Sequence, residues 1–163
     1  MRELTPPDSH YLNAAAGWRE LGNYSEARFE LERILNRDHP AVLEERWRIF
    51  AAEQQWLPAL EIARRLIEVA PDDPSGWIHQ SYSLHELKRT QEARDRLVAV
   101  AGKFSGISTI PYNLACYACQ LGEIEQARDW LARAVKIAGS EAVKKMAASD
   151  PDLQPMREEI KRL

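Results

Sequence analysis

The chain is poor in cysteine and has no long apolar run. Its 163 residues include two cysteines, Cys116 and Cys119, too few for the disulfide framework of a small secreted domain. No stretch approaches the roughly 20 consecutive apolar residues of a membrane-spanning helix. The opening residues, MRELTPPDSH, lack the apolar core of a signal peptide. We therefore expect a soluble protein of the reducing cytoplasm, without membrane insertion.

An excess of positive charge is also missing. The 22 lysines and arginines are outnumbered by 25 acidic residues, and the formal net charge is −3. Nucleic-acid-binding domains usually carry a basic patch, which this sequence does not show. It also has no nucleophile elbow, glycine-rich phosphate loop or His-Glu metalloprotease motif. We expect a protein that is not an enzyme and that binds neither nucleic acid, nor a cofactor, nor a metal.

Residues 111–139 carry the clearest pattern in the chain. Leu114, Ala115, Ala118 and Leu121 recur at helical spacing, and Gly122 follows at once. Glycine adopts the positive φ that ends many helices without a steric penalty. A second apolar stripe then begins at residue 127. The pattern predicts two amphipathic helices joined by a tight turn, with small residues that let their axes approach closely.

This pattern recurs three times upstream. Alanines at equivalent positions, Ala27, Ala59, Ala93 and Ala127, are separated by 32, 34 and 34 residues. The first copy is expected to bury Ile34 and Leu35 from its second helix, and the second copy lacks a glycine in its turn. A period near 34 residues per helix–turn–helix unit is characteristic of tetratricopeptide (TPR) repeats.

The chain resembles the TPR family in this small-residue, turn and alanine pattern, and in Pro40 and Pro71, which stand where the family ends a repeat. The second copy departs from it, because Arg46 and Trp47 replace the usual leucine and small residue. The resemblance implies an all-α, right-handed α–α superhelix. We expect a lead-in at 1–7, repeats at 8–39, 40–73, 74–107 and 108–139, and a C-terminal capping segment at 140–163.

The resemblance also implies a concave groove, lined by the first helix of each pair, that binds a peptide or helix of a partner protein. In this sequence Tyr82 and Tyr112 are expected to be apolar anchors, and Arg19 and Arg48 hydrogen-bond donors. The alternative is that these side chains fill a narrow superhelix or contact the chain's own C-terminal segment. The groove positions expected to form the partner-binding site are Leu12, Arg19, Glu44, Arg48, Ile78, Tyr82, His85, Tyr112, Cys116 and Cys119.

Two other functions stay open at this stage. Trp47 and Trp56, if exposed, would form a patch suited to a homodimer, so the chain is expected to be a monomer or a weak homodimer. Cys116, Cys119 and His85 could form a metal-binding or redox-responsive element. A redox cysteine pair, however, needs its first thiol at a helix N-terminus, and structural zinc needs four ligands. We therefore interpret the two thiols as small side chains that line a helix.

Overall fold

Amphipathic helices account for nearly all of the regular structure. The computed structural model describes residues 4–162, and in that range no strand is found. The helices are α1 (Asp8–Glu20), α2 (Tyr24–Glu32), α3 (Pro40–Ala52), α4 (Trp56–Val69), α5 (Pro74–Glu86), α6 (Thr90–Ala101), α7 (Thr109–Gln120), α8 (Ile124–Ala138), α9 (Ser140–Ala147) and α10 (Arg157–Ile160), with a 3₁₀ helix (Pro151–Met156) before α10.

The chain divides into two compact units, one ending at Ser83 and the other beginning at Leu84. In the N-terminal unit α1 packs on α2 and α3 packs on α4, and in the C-terminal unit α7 packs on α8. The fold class expected from the sequence, an all-α TPR-type solenoid of helix pairs, is confirmed. The exact repeat boundaries stay a prediction. Of the expected lead-in and cap, residues 1–3 and Leu163 lie outside the described residues.

Each helix pair is joined by the same turn. Gly22, Gln54, Lys88 and Gly122 all have positive φ, at 75°, 56°, 63° and 78°. Each donates its N–H to a carbonyl three residues back, and the next residue donates to a carbonyl five residues back. This pattern satisfies carbonyls that the helix end leaves unpaired. The second turn is therefore regular although it has no glycine.

The repeat alanines lie in the core. All four, Ala27, Ala59, Ala93 and Ala127, are fully buried. Ile34 is buried as expected, but the burial predicted for Leu35 is wrong, since 87% of this residue is exposed. The reason is that α2 ends at Glu32, so the helical spacing no longer applies. Asp8 accepts the N–H groups of Leu35 and Asn36 at 3.3 and 3.2 Å, which fixes the new chain direction.

Gly76 marks a close approach between two helices. A Cβ placed there would lie 3.0 Å from both the backbone nitrogen and Cγ1 of Ile67 on α4. Glycine therefore lets α5 pack directly against α4. Among the described residues, no helix is both long and apolar enough to cross a bilayer.

Candidate functional site

The first helices of the N-terminal unit carry a chain of charged side chains. Arg19 Nε donates to Glu45 Oε1 at 2.6 Å, although Glu45 is buried. Arg48 lies 3.6 Å from Glu45 and donates to Glu44 at 3.0 Å, and Glu44 is also 2.9 Å from His79 Nε2. Burial opposes ionisation of Glu44, but the hydrogen bond with His79 and the nearby positive charges hold its pKa below the ordinary value. The Glu44 carboxylate is thus kept ionised and oriented.

An aromatic cluster lies beside these charges. The indole of Trp47 stacks on the His79 ring, with centroids 3.6 Å apart, and its Nε1 donates to Ser83 Oγ at 3.0 Å. The Tyr82 ring meets Trp47 and Trp56 edge-on, at 6.2 and 5.6 Å. Tyr82 remains 38% exposed. Its ring is therefore held in place from behind while one side faces solvent.

The predicted groove residues of this unit separate into two groups. Arg48 and Tyr82 are exposed, and Ile78 is partly exposed, so all three are accessible to a partner. Arg19 is occupied by its ion pair with Glu45, and Leu12 is partly buried against the core formed by α1, α2 and α3. A partner could therefore reach Arg48 more readily than Arg19.

In the C-terminal unit, the predicted groove residues are covered. Tyr112, Cys116, Cys119 and His85 are all buried. They lie beneath residues 150–156, which we call the C-terminal segment. Where the sequence led us to expect open groove positions, the structure places part of the chain itself.

Two aspartates of the C-terminal segment make most of the polar contacts. Tyr112 Oη donates to Asp150 Oδ2 at 2.8 Å, and Cys116 Sγ lies 3.6 Å from the same oxygen. His85 Nε2 lies 2.8 Å from Asp152 Oδ2. Gln120 adds a hydrogen bond to the carbonyl of Asp152 at 3.2 Å. The first helices of this unit thus hold an acidic segment of polypeptide.

Two apolar side chains complete the contact. Leu153 and Met156 are 1% and 2% exposed, whereas Gln154 between them is exposed. Aspartates and aliphatic side chains therefore face inwards together. The sequence suggested the C-terminal segment as an alternative occupant but did not identify these residues, because the polar partners of the two aspartates lie 32 to 67 positions away.

The environment of Cys116 and Cys119 makes their thiols unreactive as nucleophiles. Burial raises the pKa of Cys119 to about 11, with further contributions from nearby carboxylates. Burial and Asp150 raise the pKa of Cys116 further still, and burial together with the hydrogen bond to Asp150 raises that of Tyr112. Thiolate is the reactive form, so both cysteines are poor nucleophiles at neutral pH. The part of the chain that the structure describes also holds no cluster of three or more His, Cys, Asp or Glu side chains fit for a metal.

The tryptophan patch considered for a homodimer is not an exposed surface. Trp47 and Trp56 are both partly buried, and each has the Tyr82 ring against it. These indoles support the exposed face of Tyr82 and do not form an apolar patch of their own.

Comparison with known proteins shows the fold. No protein-family model matches the sequence, and neither does any functionally curated protein. Among solved structures, TTC0263, a TPR protein of Thermus thermophilus, is 19% identical, with a TM-score of 0.71 over 96% of this chain and 100% of its own. MamA of Desulfovibrio magneticus RS-1 is 15% identical, with a TM-score of 0.72 over 98% and 94%. YrrB, a TPR protein with an unusual peptide-binding site, is 18% identical, with a TM-score of 0.71 over 88% and 75%.

Proposed function

We propose that this TPR-fold chain is a non-catalytic scaffold that binds a peptide or helix of a partner protein on the first-helix face of its units. One observation carries the proposal. In the C-terminal unit, residues at the groove positions already hold a polypeptide segment through Asp150, Asp152, Leu153 and Met156. A surface that binds a segment of its own chain has the chemistry to bind a segment of another.

In the N-terminal unit, the proposed contact residues are Tyr82, Arg48 and Ile78. Aromatic and arginine side chains dominate binding hot spots because they bury much area for few ordered torsions. Tyr82 is backed by Trp47 and Trp56, so little of its freedom remains to be lost on binding. Arg48 is 49% exposed and can offer its free donors to a carboxylate or a backbone carbonyl. Among the structural neighbours, YrrB has a peptide-binding site, which supports the proposal by analogy.

The test is a quantitative pull-down from lysate of the native host. The bait is compared with a Tyr82→Ala/Arg48→Ala variant and with a control, Leu57→Ala/Arg64→Ala, whose two side chains are exposed on α4. We expect a prey protein that the control retains and the groove variant loses. Equal retention by both variants, with circular dichroism showing intact helices, would refute the proposal for this face.

We also propose that the protein acts in the cytoplasm, binds no nucleic acid and catalyses no reaction. We further propose a monomer or weak homodimer. Sedimentation at several concentrations distinguishes the scaffold from an obligate dimer, because a monomer that persists at high concentration removes the dimer. Zinc titration with a thiol-accessibility assay tests the metal or redox alternative, and stoichiometric zinc uptake would restore it.

A further inference from the structure

An arginine that makes no hydrogen bond or close ion pair with the described residues, Arg46, lines a cavity in the N-terminal unit. The cavity has a volume of about 270 Å³ and lies between α2, α3 and α4. Three arginines face it, Arg28, Arg37 and Arg46, together with one carboxylate, Glu32. Arg46 lies two residues from both Glu44 and Arg48, which is about 200° around the helix. This site is therefore separate from the proposed partner-binding face and does not depend on it.

The three arginines differ in how they are paired. Arg28 forms an ion pair with Glu53, and Arg37 donates to the backbone carbonyl of Glu32 at 2.9 Å. Arg46 makes no hydrogen bond and no ion pair with any described residue, although it is partly buried. Partly buried charges without a partner are costly and uncommon in native proteins. The described residues thus leave the N–H donors of Arg46 unoccupied, although Glu32 and Asp38 attract its charge without bonding to it.

The electrostatic environment of Arg46 also favours a bound anion. Burial lowers the pKa of Arg46, and the positive charge of Arg37 lowers it further. Glu32 and Asp38 act in the opposite direction but do not cancel these effects. A bound anion would relieve both the desolvation of Arg46 and its repulsion from Arg37.

The rest of the cavity wall is apolar. Leu31 and Ile49 are buried and Phe50 and Ile62 are partly buried, so they provide a floor for a hydrocarbon or aromatic group. The volume lies just below the usual range for drug-sized ligands, about 300–1,000 Å³, and suits a group the size of one amino-acid residue. The cavity therefore fits a carboxylate and an apolar group that are only a few bonds apart.

Glu32 narrows the choice of ligand. Its carboxylate also forms no ion pair with a described residue, and it can accept a hydrogen bond from an N–H close to the bound carboxylate. The C-terminal residue of a polypeptide has all three groups on one Cα: a carboxylate, an amide N–H and a side chain. Arg28 is neutralised by Glu53, but Arg37 and Arg46 still outnumber Glu32, which favours this anion over a free amino acid of zero net charge.

We propose that the cavity between α2, α3 and α4 binds the C-terminal residue of a partner polypeptide, with the terminal carboxylate on Arg46 and Arg37 and an apolar side chain on Ile49 and Phe50. An internal acidic residue fits less well, because its carboxylate and the nearest apolar side chain belong to different residues and need more space.

The test uses N-acetyl-L-phenylalanine as the probe and methyl NMR of Leu31, Ile49 and Ile62 as the readout. We expect saturable shifts of these signals with a dissociation constant of about 1 mM, the range expected for so small a ligand. N-acetyl-L-phenylalaninamide, which lacks the carboxylate, and free L-phenylalanine should each bind at least about tenfold more weakly. Equal binding of the amide would refute the carboxylate site, and equal or tighter binding of L-phenylalanine would refute the C-terminal residue as its ligand.

Two variants connect the binding to Arg46. Arg46→Gln should weaken binding of the probe at least about tenfold, while Arg64→Gln, an exposed arginine of α4 outside the cavity, should leave it unchanged. Arg46→Gln should also unfold at the same or a higher urea concentration, because it removes a partly buried charge that no described residue hydrogen-bonds. A clear loss of stability would mean that Arg46 is balanced within the fold, and unchanged binding would mean that it is not the anion site. Either result overturns the proposal.

Discussion

At the scale of single residues, Lys88 and Gln54 hold a backbone conformation that usually belongs to glycine. The left-handed region costs an L-residue about 1–2 kcal/mol. We predict that Lys88→Gly stabilises the protein by about 0.5–1 kcal/mol, because the strain removed exceeds the added entropy of the unfolded chain. Urea unfolding measures the effect. The same substitution at exposed Ala99 within α6 should instead cost about 1 kcal/mol, and a loss of stability for Lys88→Gly would contradict the account of the turn.

Gly76 gives the opposite prediction. Gly76→Ala places a methyl group 3.0 Å from the backbone nitrogen of Ile67, which cannot move without disturbing α4. We expect a loss of about 1–3 kcal/mol, typical of overpacking. Gly17→Ala is the matched control, because no atom lies within 4 Å of the added Cβ, and it should gain up to about 1 kcal/mol. Equal effects of the two substitutions in urea unfolding would show that α4 and α5 are not packed this closely.

The sequence predicted the buried alanines well, because their regular spacing follows from the same helix–helix contact in each repeat. It failed for Leu35, where the helix stops before the apolar spacing does. It also did not predict that the second turn has the same conformation as the others, since Gln54 carries no residue-type signal for a positive φ. The conformation is imposed there by the two helices on either side.

At the scale of elements, Leu153 and Met156 are the buried apolar side chains of the C-terminal segment. Leu153→Ala should remove about 2–5 kcal/mol of local stability. The segment would then open more often and expose the thiols of Cys116 and Cys119. We predict faster reaction of these thiols with an aromatic disulfide reagent in Leu153→Ala but not in Gln154→Ala, whose side chain is exposed. Equal rates, with helix content unchanged by circular dichroism, would show that the segment does not protect the thiols.

The thiol of Cys119 gives a pH prediction for the same element. Its folded pKa of about 11 lies above the value of about 8.5 for a free cysteine. Iodoacetamide alkylation of a Cys116→Ala variant should therefore reach half its maximal rate near pH 11. The folded chain keeps a proton that the unfolded chain releases, so stability should fall as pH rises from about 8.5 to about 11. An alkylation midpoint near pH 8.5 would place this thiol in solvent.

The position of the C-terminal segment could not be derived from its sequence. Asp-Pro-Asp indicates a turn, and Leu153 and Met156 indicate a small apolar contact, but neither names the partner. His85, Tyr112 and Cys116 look like groove residues because their spacing is that of a first-helix surface. Which chain segment covers that surface depends on contacts between residues far apart in the sequence.

At the scale of the whole chain, a few small residues and turns define the fold, and the surface defines the function. This explains why solved TPR structures match the chain at 15–19% identity. The sequence predicted the helix pairs, since periodicity is local information. It could not predict which groove residues stay accessible, because Arg19 and Arg48 are alike in sequence and differ in their ion pairs.

The most direct test of the scaffold function is site-specific photo-crosslinking in the native host. The crosslinking amino acid p-benzoylphenylalanine replaces Tyr82 in one protein and exposed Leu57 of α4 in another. If the first-helix face of the N-terminal unit binds a partner, position 82 should crosslink to a distinct polypeptide and position 57 should not. Crosslinks at position 57 with none at position 82, or crosslinks at position 82 to a second copy of this chain alone, would contradict the account.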